Sequence, residues 1–340
     1  MKHVFLVNSH TTFLSSLGVI NLLKIRDKDI VLLFARNYSN SIYPLPYTLC
    51  DVNELYYSAD EVFRTDDNLV IQRKIAEVDK IIDVYIKDLF QLYVPNFCNP
   101  LVCLLYSSLR CRRISFIQEA AQSVVPIYIT NVSLKKGIKR RIKLFLKGVP
   151  YRKWITPLYY SNDYIWKQGK MYSYALNNKI FEGLKNNENN IISWPLSQYD
   201  FHLNTHATFF VVDGWVQNNM CEADVFLKLM HKLVQENAGK YNYIKFHPNQ
   251  TEIERENILH FFDELNVVYE IMDQSIPFEL VITSYSNLKI VGMGSALCFF
   301  AKEMKHNIVC HDDWCYEGSD LFRKHINSTG NKLFRDYYSI

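Results

Sequence analysis

The sequence is poor in the residues that break regular structure, and it has no long apolar segment. Glycine occurs 11 times and proline 10 times among 340 residues, which excludes collagen-like and low-complexity proteins. No stretch approaches the roughly 18–20 apolar residues that a membrane-spanning helix needs. The apolar run near the start covers only Val4–Val7, which predicts a first strand and not a signal peptide. These absences favour a cytoplasmic globular protein.

Net charge and reactive cysteine pairs are also scarce. Lys and Arg total 38 against 35 Asp and Glu, which leaves +3, too little for a general nucleic-acid binder. The chain has 8 cysteines but no C-x-x-C pair. Cys98 with Cys103, and Cys310 with Cys315, have wider spacings that could bind zinc, although buried thiols are the more common state of such residues. No metal site is therefore expected.

Short apolar runs alternate with helical patterns along the chain. Hydrophobic residues make up 49% of the sequence, enough for two domains of about 150–170 residues each. Helices are predicted over Ala223–Asn237, Ile253–Leu265 and Ala296–Met304. The runs that suit strands buried on both faces are Val4–Asn8, Ile30–Phe34, Arg113–Gln118, Phe209–Val212, Tyr243–Phe246, Val267–Ile271, Leu288–Val291 and Asn307–Cys310.

This alternation predicts an α/β protein with two doubly wound, Rossmann-like lobes. Between Tyr151 and Asp200 the alternation gives way to Tyr-, Asn- and Lys-rich sequence. We therefore predict one lobe over 1–165 and a second over 166–340, with a C-terminal tail that could cross back. Two such lobes facing a cleft describe the GT-B class of glycosyltransferases, but also other two-domain enzymes and binding proteins.

A histidine and a glycine turn in the second half follow predicted strands. His247 and Pro248 come directly after the strand that includes Lys245, where α/β sheets present ligand loops. A histidine there could donate a hydrogen bond to a phosphate, or it could simply cap the strand. Gly294, Ser295 and Ala296 stand between a strand and a helix. That arrangement predicts either a phosphate-binding helix start or an ordinary N-cap.

Two carboxylates stand out on the same grounds. Glu279 lies in the otherwise apolar segment Ile276–Val281, where it could accept the hydroxyls of a ribose or favour a helix start. Glu119 follows the strand that ends at Gln118. A carboxylate at that place could take a proton from a hydroxyl, although most such residues are solvated or cap the next helix.

These motifs together resemble the bacterial sialyltransferases of the polysialyltransferase and lipooligosaccharide-sialyltransferase type. The order of the upstream acid, the His-Pro pair, the I-P-x-E segment and the L-K-I-x-G-x-G-S-A-L turn is similar. The resemblance is best from about Phe209 to Trp314. Near the start, Asn8, Ser9 and His10 lie in V-N-S-H-T-T, where the family often has V-E-S-P-L-Q, and they become candidate acceptor-site residues.

The resemblance implies a role for each motif. His247, with Pro248 and Lys245 beside it, would contact the phosphate of a CMP-sugar and assist its departure. Ser295, with Gly294 and Ala296, would hold the same phosphate. Glu279 would bind the ribose or cytosine, and Glu119 would act as general base. The implied reaction is metal-independent transfer of sialic acid from CMP-sialic acid, with inversion, to a hydroxyl of a surface glycan such as lipooligosaccharide, O-antigen or capsule; galactose is the expected acceptor sugar.

The sequence departs from the family at two places near the base. The family's acid-acid-Gly motif is Gln118-Glu119-Ala120 here, and the P-L-Q segment is absent. Asp213, in Val-Val-Asp-Gly-Trp, is a rival base, but it stands 34 residues before His247 and so belongs to the nucleotide lobe. Three alternatives stay open: another CMP-nonulosonic acid as donor, a nucleotide-diphosphate sugar as donor, or a non-catalytic nucleotide-binding or scaffold protein.

One segment is strongly basic. The range 134–153 has nine Lys and Arg residues and no acid, and its apolar residues share one helical face. It predicts a basic helix near 134–148 that binds the inner face of an anionic membrane, or else a solvated helix packed on its lobe. Asp27-Lys28-Asp29 precedes a strand, so it predicts a surface turn and not a metal-binding D-x-D motif.

Overall fold

A computed structural model of the chain describes residues 1–39, 45–65, 67–96, 99–119, 142, 171–181, 187–196 and 199–327. Contacts divide these residues near Trp194 into a first domain and, from Pro195 onward, a second. Of the segment 134–153, only the exposed Ile142 is described, so the predicted basic helix lies outside the described residues. In the described ranges, no helix is long and apolar enough to cross a membrane.

The first domain contains a sheet of seven parallel strands. Their order across the sheet is β3-β2-β1-β4-β5-β6-β7. The chain therefore winds outward from β1 to β3, returns to the other side of β1, and winds outward again. The bounds are β1 Lys2–Val7, β2 Ile30–Phe34, β3 Thr48–Asp51, β4 Phe90–Val94, β5 Cys111–Ile117, β6 Met171–Ala175 and β7 Asn187–Ile191.

Five described helices accompany this sheet. They are α1 His10–Leu23, α2 Asn53–Ser58, α3 Glu61–Arg64, α4 Asn68–Ile81 and α5 Pro100–Ser107. Helix α4 continues into a wider turn over Ile82–Ile86, and Asp27–Asp29 forms one 3₁₀ turn before β2. Asp29 pairs with Arg26 at 2.7 Å on the surface, which confirms that this D-x-D is a surface turn.

The second domain has a sheet of five parallel strands. The strands are β8 Thr208–Val211, β9 Tyr241–Lys245, β10 Val268–Ile271, β11 Lys289–Gly292 and β12 Asn307–Cys310. Their order is β10-β9-β8-β11-β12, so the winding again reverses, between β8 and β11. The helices are α6 Ala223–Asn237, α7 Glu252–Glu264, α8 Phe278–Ser284, α9 Ala296–Glu303, α10 Asp312–Gly318 and α11 Asp320–Asn327.

The α/β class and the two doubly wound parallel sheets are confirmed, but the predicted boundary at 165/166 is displaced. Strand β6 pairs with β5 through Phe116–Ser173 and Ile117–Tyr174, and β7 pairs with β6. Residues 171–194 that the structure describes therefore belong to the first domain. Sequence patterning fails here because β7 is a polar edge strand, Asn187–Ile191, whose stability comes from backbone pairing and not from an apolar face.

Both sheets have a topological switch point, which is the place where a doubly wound fold forms its ligand crevice at the carboxyl ends of the strands. In the first sheet it lies between β1 and β4, and in the second between β8 and β11. The residues that follow these strands are therefore the candidates for a functional site. They include Asn8 and Asn96 in the first domain, and Asp213 and Ser295 in the second.

Candidate functional site

Glu119 is the centre of a polar cluster at the switch point of the first sheet. Asn8 Nδ2 donates to its Oε1 at 2.8 Å, and Asn96 Nδ2 donates to its Oε2 at 2.9 Å. The Arg36 guanidinium lies 3.6 Å from Oε1, and 25% of the Glu119 side chain is exposed. Two amide donors and one cation hold the carboxylate in a single orientation while solvent or a substrate can still reach it.

Asn8 is itself held in place by the start of α1. It is buried, and its backbone N–H donates to Thr12 Oγ1 at 3.0 Å. The Thr12 hydroxyl is 3.1 Å from Asn8 Oδ1, which sets the amide so that its NH₂ group faces Glu119. The structure therefore brings together two residues that the sequence singled out separately, Asn8 and Glu119.

The other two predicted acceptor residues, Ser9 and His10, contact neighbouring residues at the start of α1. Ser9 is the N-cap of α1: its hydroxyl accepts from the Thr12 N–H at 3.2 Å, and the Thr12 side chain completes a capping box. His10 begins the helix, and its ring meets Tyr38 edge to face at 5.0 Å between centroids. Their role toward an acceptor stays a prediction.

Three further residues at this cluster were missed from the sequence. Arg36 follows β2 and has a left-handed backbone, Asn96 follows β4, and Tyr56 lies on α2. Burial raises the pKa of Tyr56, which also shares a hydrogen bond with Asn8. Arg36 and Asn96 could have been found, because polar residues after neighbouring parallel strands meet at one sheet edge; Asn96 was lost because β4 was not predicted.

Gln118, which stands where the family has its first acid, hydrogen-bonds to the neighbouring strand β6 and the residue after it. Gln118 is fully buried, and its Oε1 accepts from the Leu176 N–H at 2.9 Å. Its own N–H donates to the Tyr174 carbonyl at 3.0 Å. These two bonds tie the end of β5 to the end of β6. Ala120, the other departure, lies outside the described residues.

In the second domain, a tight turn fixes the His247 ring. The His247 N–H donates to Gln250 Oε1 at 2.9 Å, and the Asn249 N–H donates to His247 Nδ1 at 3.2 Å. With Nδ1 as acceptor, the hydrogen-bond network assigns the ring proton to Nε2. Burial lowers the pKa of His247 below its usual value, so the neutral ring presents one N–H donor. Pro248 is exposed within the same turn.

Gly214 lets the backbone approach this ring closely. A Cβ atom at position 214 would stand 2.6 Å from His247 Nδ1, so any larger residue there would force the ring or the turn to move. The Asp213-Gly214 pair after β8 therefore packs directly beside the His247 turn after β9. Sequence analysis identified Asp213, before Gly214, as a rival general base that belongs to the nucleotide lobe. The structure places this pair in the second domain.

The glycine turn forms the start of α9. Gly294 has φ 106°, a left-handed conformation that glycine adopts without strain. Ser295 is the N-cap, and its hydroxyl accepts from the Leu297 N–H at 3.2 Å. Ser295 also hydrogen-bonds to the Asp213 side chain. Asp213, Ser295 and the start of α9 at Ala296 thus meet at the switch point of the second sheet, a setting that suits an anion.

Lys245 has contacts within the second domain, and its predicted place at the phosphate stays a prediction. Its Nζ donates to the carbonyls of Ile276 at 2.7 Å, Asp273 at 3.0 Å and Gln274 at 3.4 Å. An ammonium has three protons, so these contacts occupy it within the domain. Burial lowers the pKa of Lys245, and the nearby carboxylates of Glu279 and Asp273 oppose that effect. Lys245 therefore holds the loop that leads to Glu279, the predicted ribose ligand in the first turn of α8.

Replacing Lys245 with methionine should lower the free energy of unfolding by about 1.5–3 kcal/mol, the usual contribution of hydrogen bonds made by a charged group. Urea unfolding measures the change. The matched control is Lys240→Met, at an exposed lysine just before the same strand, which should stay within about 0.5 kcal/mol. Weaker nucleotide binding at unchanged stability would instead place the ammonium on the ligand.

Comparisons with known proteins identify only remote structural similarity. No protein-family model and no curated protein sequence matches the chain. A glycosyltransferase from Rickettsia africae ESF-5 is 9% identical over 99% of this chain and 96% of that one, with a TM-score of 0.47. The UDP-GlcNAc 2-epimerase from Methanocaldococcus jannaschii is 10% identical over 100% and 92%, with a TM-score of 0.47.

A third similar structure is the spinosyn rhamnosyltransferase SpnG complexed with thymidine diphosphate. It is 9% identical over 99% of this chain and 95% of that one, with a TM-score of 0.44. These enzymes differ in reaction, and similarity at this level transfers neither a substrate nor an activity to this chain.

Proposed function

We propose that this chain is a glycosyltransferase that moves a sugar from a nucleotide-sugar donor to an acceptor hydroxyl, with CMP-sialic acid as the donor. The observation that carries the proposal is the Glu119 cluster. An oriented, partly exposed carboxylate at a switch point is what deprotonation of a hydroxyl needs. The resemblance to bacterial sialyltransferases supplies the donor, and the phosphate-suited residues of the second domain are consistent with it.

On the acceptor side, Glu119 acts as general base. Each of its oxygens accepts one amide hydrogen bond. Because Arg36 lies beside Oε1, the second lone-pair position of Oε2 is the one proposed to receive the proton. As the acceptor oxygen attacks the anomeric carbon, its proton passes to Glu119. Asn8 and Asn96 already hold the carboxylate in position, so the Glu119 side chain loses little conformational freedom when the acceptor binds.

On the donor side, the bond between the anomeric carbon and the phosphate oxygen breaks, and its electron pair stays on the phosphate. His247 donates the Nε2 proton as a hydrogen bond to that phosphate. The Ser295 hydroxyl and the Ala296 N–H add further donors, because the next N–H groups of α9, those of Leu297 and Cys298, already donate to Ser295. Preorganised donors act most strongly where charge grows in the transition state. Attack opposite the departing phosphate inverts the anomeric configuration. A monophosphate leaving group develops less charge than a diphosphate, so these donors suffice without a metal ion.

A donor panel tests the proposal. Purified protein is mixed with CMP-sialic acid, CMP-Kdo or UDP-hexoses and a set of galactosides, and released nucleotide is measured. We expect CMP release from CMP-sialic acid that rises when a galactoside is present. Release from UDP-sugars alone would overturn the donor assignment, and CMP binding without any release would favour a non-catalytic protein. Membrane binding by the segment 134–153 stays a sequence prediction.

A further inference from the structure

Asp213 is a buried acid that has no role in the proposed sugar transfer. Only 8% of the residue is exposed, and it follows β8, the strand between β9 and β11. The Ser295 hydroxyl hydrogen-bonds to its side chain. The Oδ2 atom is buried without a hydrogen-bond partner among the described residues. A buried carboxylate oxygen in that state is costly unless a ligand or a proton satisfies it.

The described groups that pack around Asp213 offer no positive charge. From the β9 side comes His247, which packs on Gly214 and whose pKa burial lowers. From α9 comes Cys298, whose thiol hydrogen-bonds to Cys310 of β12, and that bond together with burial raises its pKa. In the part of the chain that the structure describes, no Lys, Arg or His is within ion-pair distance of Asp213. Burial accordingly raises the pKa of Asp213 to about 7, and the Ser295 hydroxyl opposes the shift.

A phosphate bound at Ser295 would meet Asp213 at close range. In the carboxylate form, Asp213 would add a second negative charge to a poorly solvated site and repel the phosphate. In the neutral acid form, its O–H group is a hydrogen-bond donor. The same side chain therefore either opposes or assists anion binding, and one proton decides which.

We propose that Asp213 binds the donor phosphate as a neutral acid, donating a hydrogen bond from its carboxyl O–H, so that donor binding takes up one proton from solvent when the acid is ionised beforehand. The inference rests on the proposed nucleotide-sugar function. It makes Asp213 a ligand of the phosphate, distinct from the base role that its Asp-Gly motif first indicated.

The direction of the pH effect follows from the raised pKa. Well below pH 7 nearly all of Asp213 is the neutral acid that binds phosphate. Well above pH 7 the neutral fraction approaches a tenfold fall for each pH unit. Apparent affinity scales with that fraction. Between pH 6 and pH 8, binding should weaken by about tenfold.

The probe is the methyl ester of cytidine 5′-monophosphate, a phosphodiester with one negative charge throughout this range, which removes titration of the ligand itself. Isothermal titration calorimetry at pH 6 and 8 gives the affinity. Repeating the pH 8 titration in two buffers of different ionisation enthalpy gives the number of protons taken up. This measurement uses the wild-type protein alone. Asp213→Asn is the test variant, because its amide is neutral and can donate. Asp224→Asn, at an exposed aspartate of α6, is the matched control.

We expect about tenfold weaker binding at pH 8 and uptake of close to one proton in the wild type and in Asp224→Asn. Asp213→Asn should bind equally at both pH values, near the wild-type affinity at pH 6. A wild type that binds the ester with no proton uptake overturns the inference and leaves the proposed function standing, as does an Asp213→Asn protein that keeps the pH dependence. Absence of binding at both pH 6 and pH 8 overturns the inference and the proposed function together.

Discussion

Replacing Glu119 with glutamine is expected to slow sugar transfer by about 10²–10⁴-fold, the range in which a positioned general base contributes. The amide cannot accept the hydroxyl proton. Its NH₂ group would also face one of the two amide donors, Asn8 or Asn96, which now point at carboxylate oxygens. The measurement is the initial rate of glycan product formation from CMP-sialic acid at saturating donor.

Two controls make this result specific. Glu54→Gln changes an exposed glutamate of α2 in the same domain and should leave the rate within about twofold. Binding of CMP to Glu119→Gln should be unchanged, because the proposed phosphate ligands belong to the second domain. Transfer by Glu119→Gln within tenfold of the wild type would exclude Glu119 as the base.

Replacing His247 with alanine should lower the transfer rate by about 10²–10³-fold, as does the loss of a preorganised donor to a developing negative charge. Because burial lowers the pKa of the ring below its usual value, the imidazole is mostly neutral at pH 7, and its protonation changes little between pH 7 and pH 8. His247 itself should therefore cause no fall in rate over that interval.

A second variant displaces the ring and leaves it chemically intact. Gly214→Ala puts a Cβ 2.6 Å from His247 Nδ1, so the turn must shift, and we expect at least a tenfold loss in rate. Gly318→Ala is the control, because its Cβ would meet Val225 at an ordinary 3.4 Å. Equal rates in the two glycine variants would mean that the position of the ring does not matter to the reaction.

The sequence predicted β1, β2 and β5 of the first domain and all five strands of the second, but β10 and β12 are partly exposed edge strands and are not buried on both faces. Ile30–Phe34 and Asn307–Cys310 were predicted with the bounds that the structure shows, and Ala223–Asn237 was correct as a helix. Strand β4 was missed because Gln91 interrupts its apolar run; in the structure Gln91 is buried and donates to Ser115 of β5 at 2.9 Å. Periodicity detects apolar faces, and it cannot detect a polar residue whose partner lies on another strand.

The same limit applies to the candidate site. Glu119 and His247 were identified because each follows a predicted strand, and motif order then gave them roles. The pairing of Glu119 with Asn8 was not predicted, since it joins residues 111 positions apart. Lys245 was predicted to contact the ligand because it is close to His247 in the sequence. In the structure its ammonium contacts three carbonyls of a loop about thirty residues further along the chain. Such contacts are set by tertiary structure.

The most direct measurement is a crystal structure of the protein with a non-transferable CMP-sialic acid analogue and a galactoside acceptor. We predict the phosphate within hydrogen-bond distance of His247 Nε2 and the Ser295 hydroxyl, and the acceptor hydroxyl within hydrogen-bond distance of Glu119. A nucleotide bound away from the end of β9, or an acceptor hydroxyl beyond the reach of Glu119, would contradict the proposed transfer.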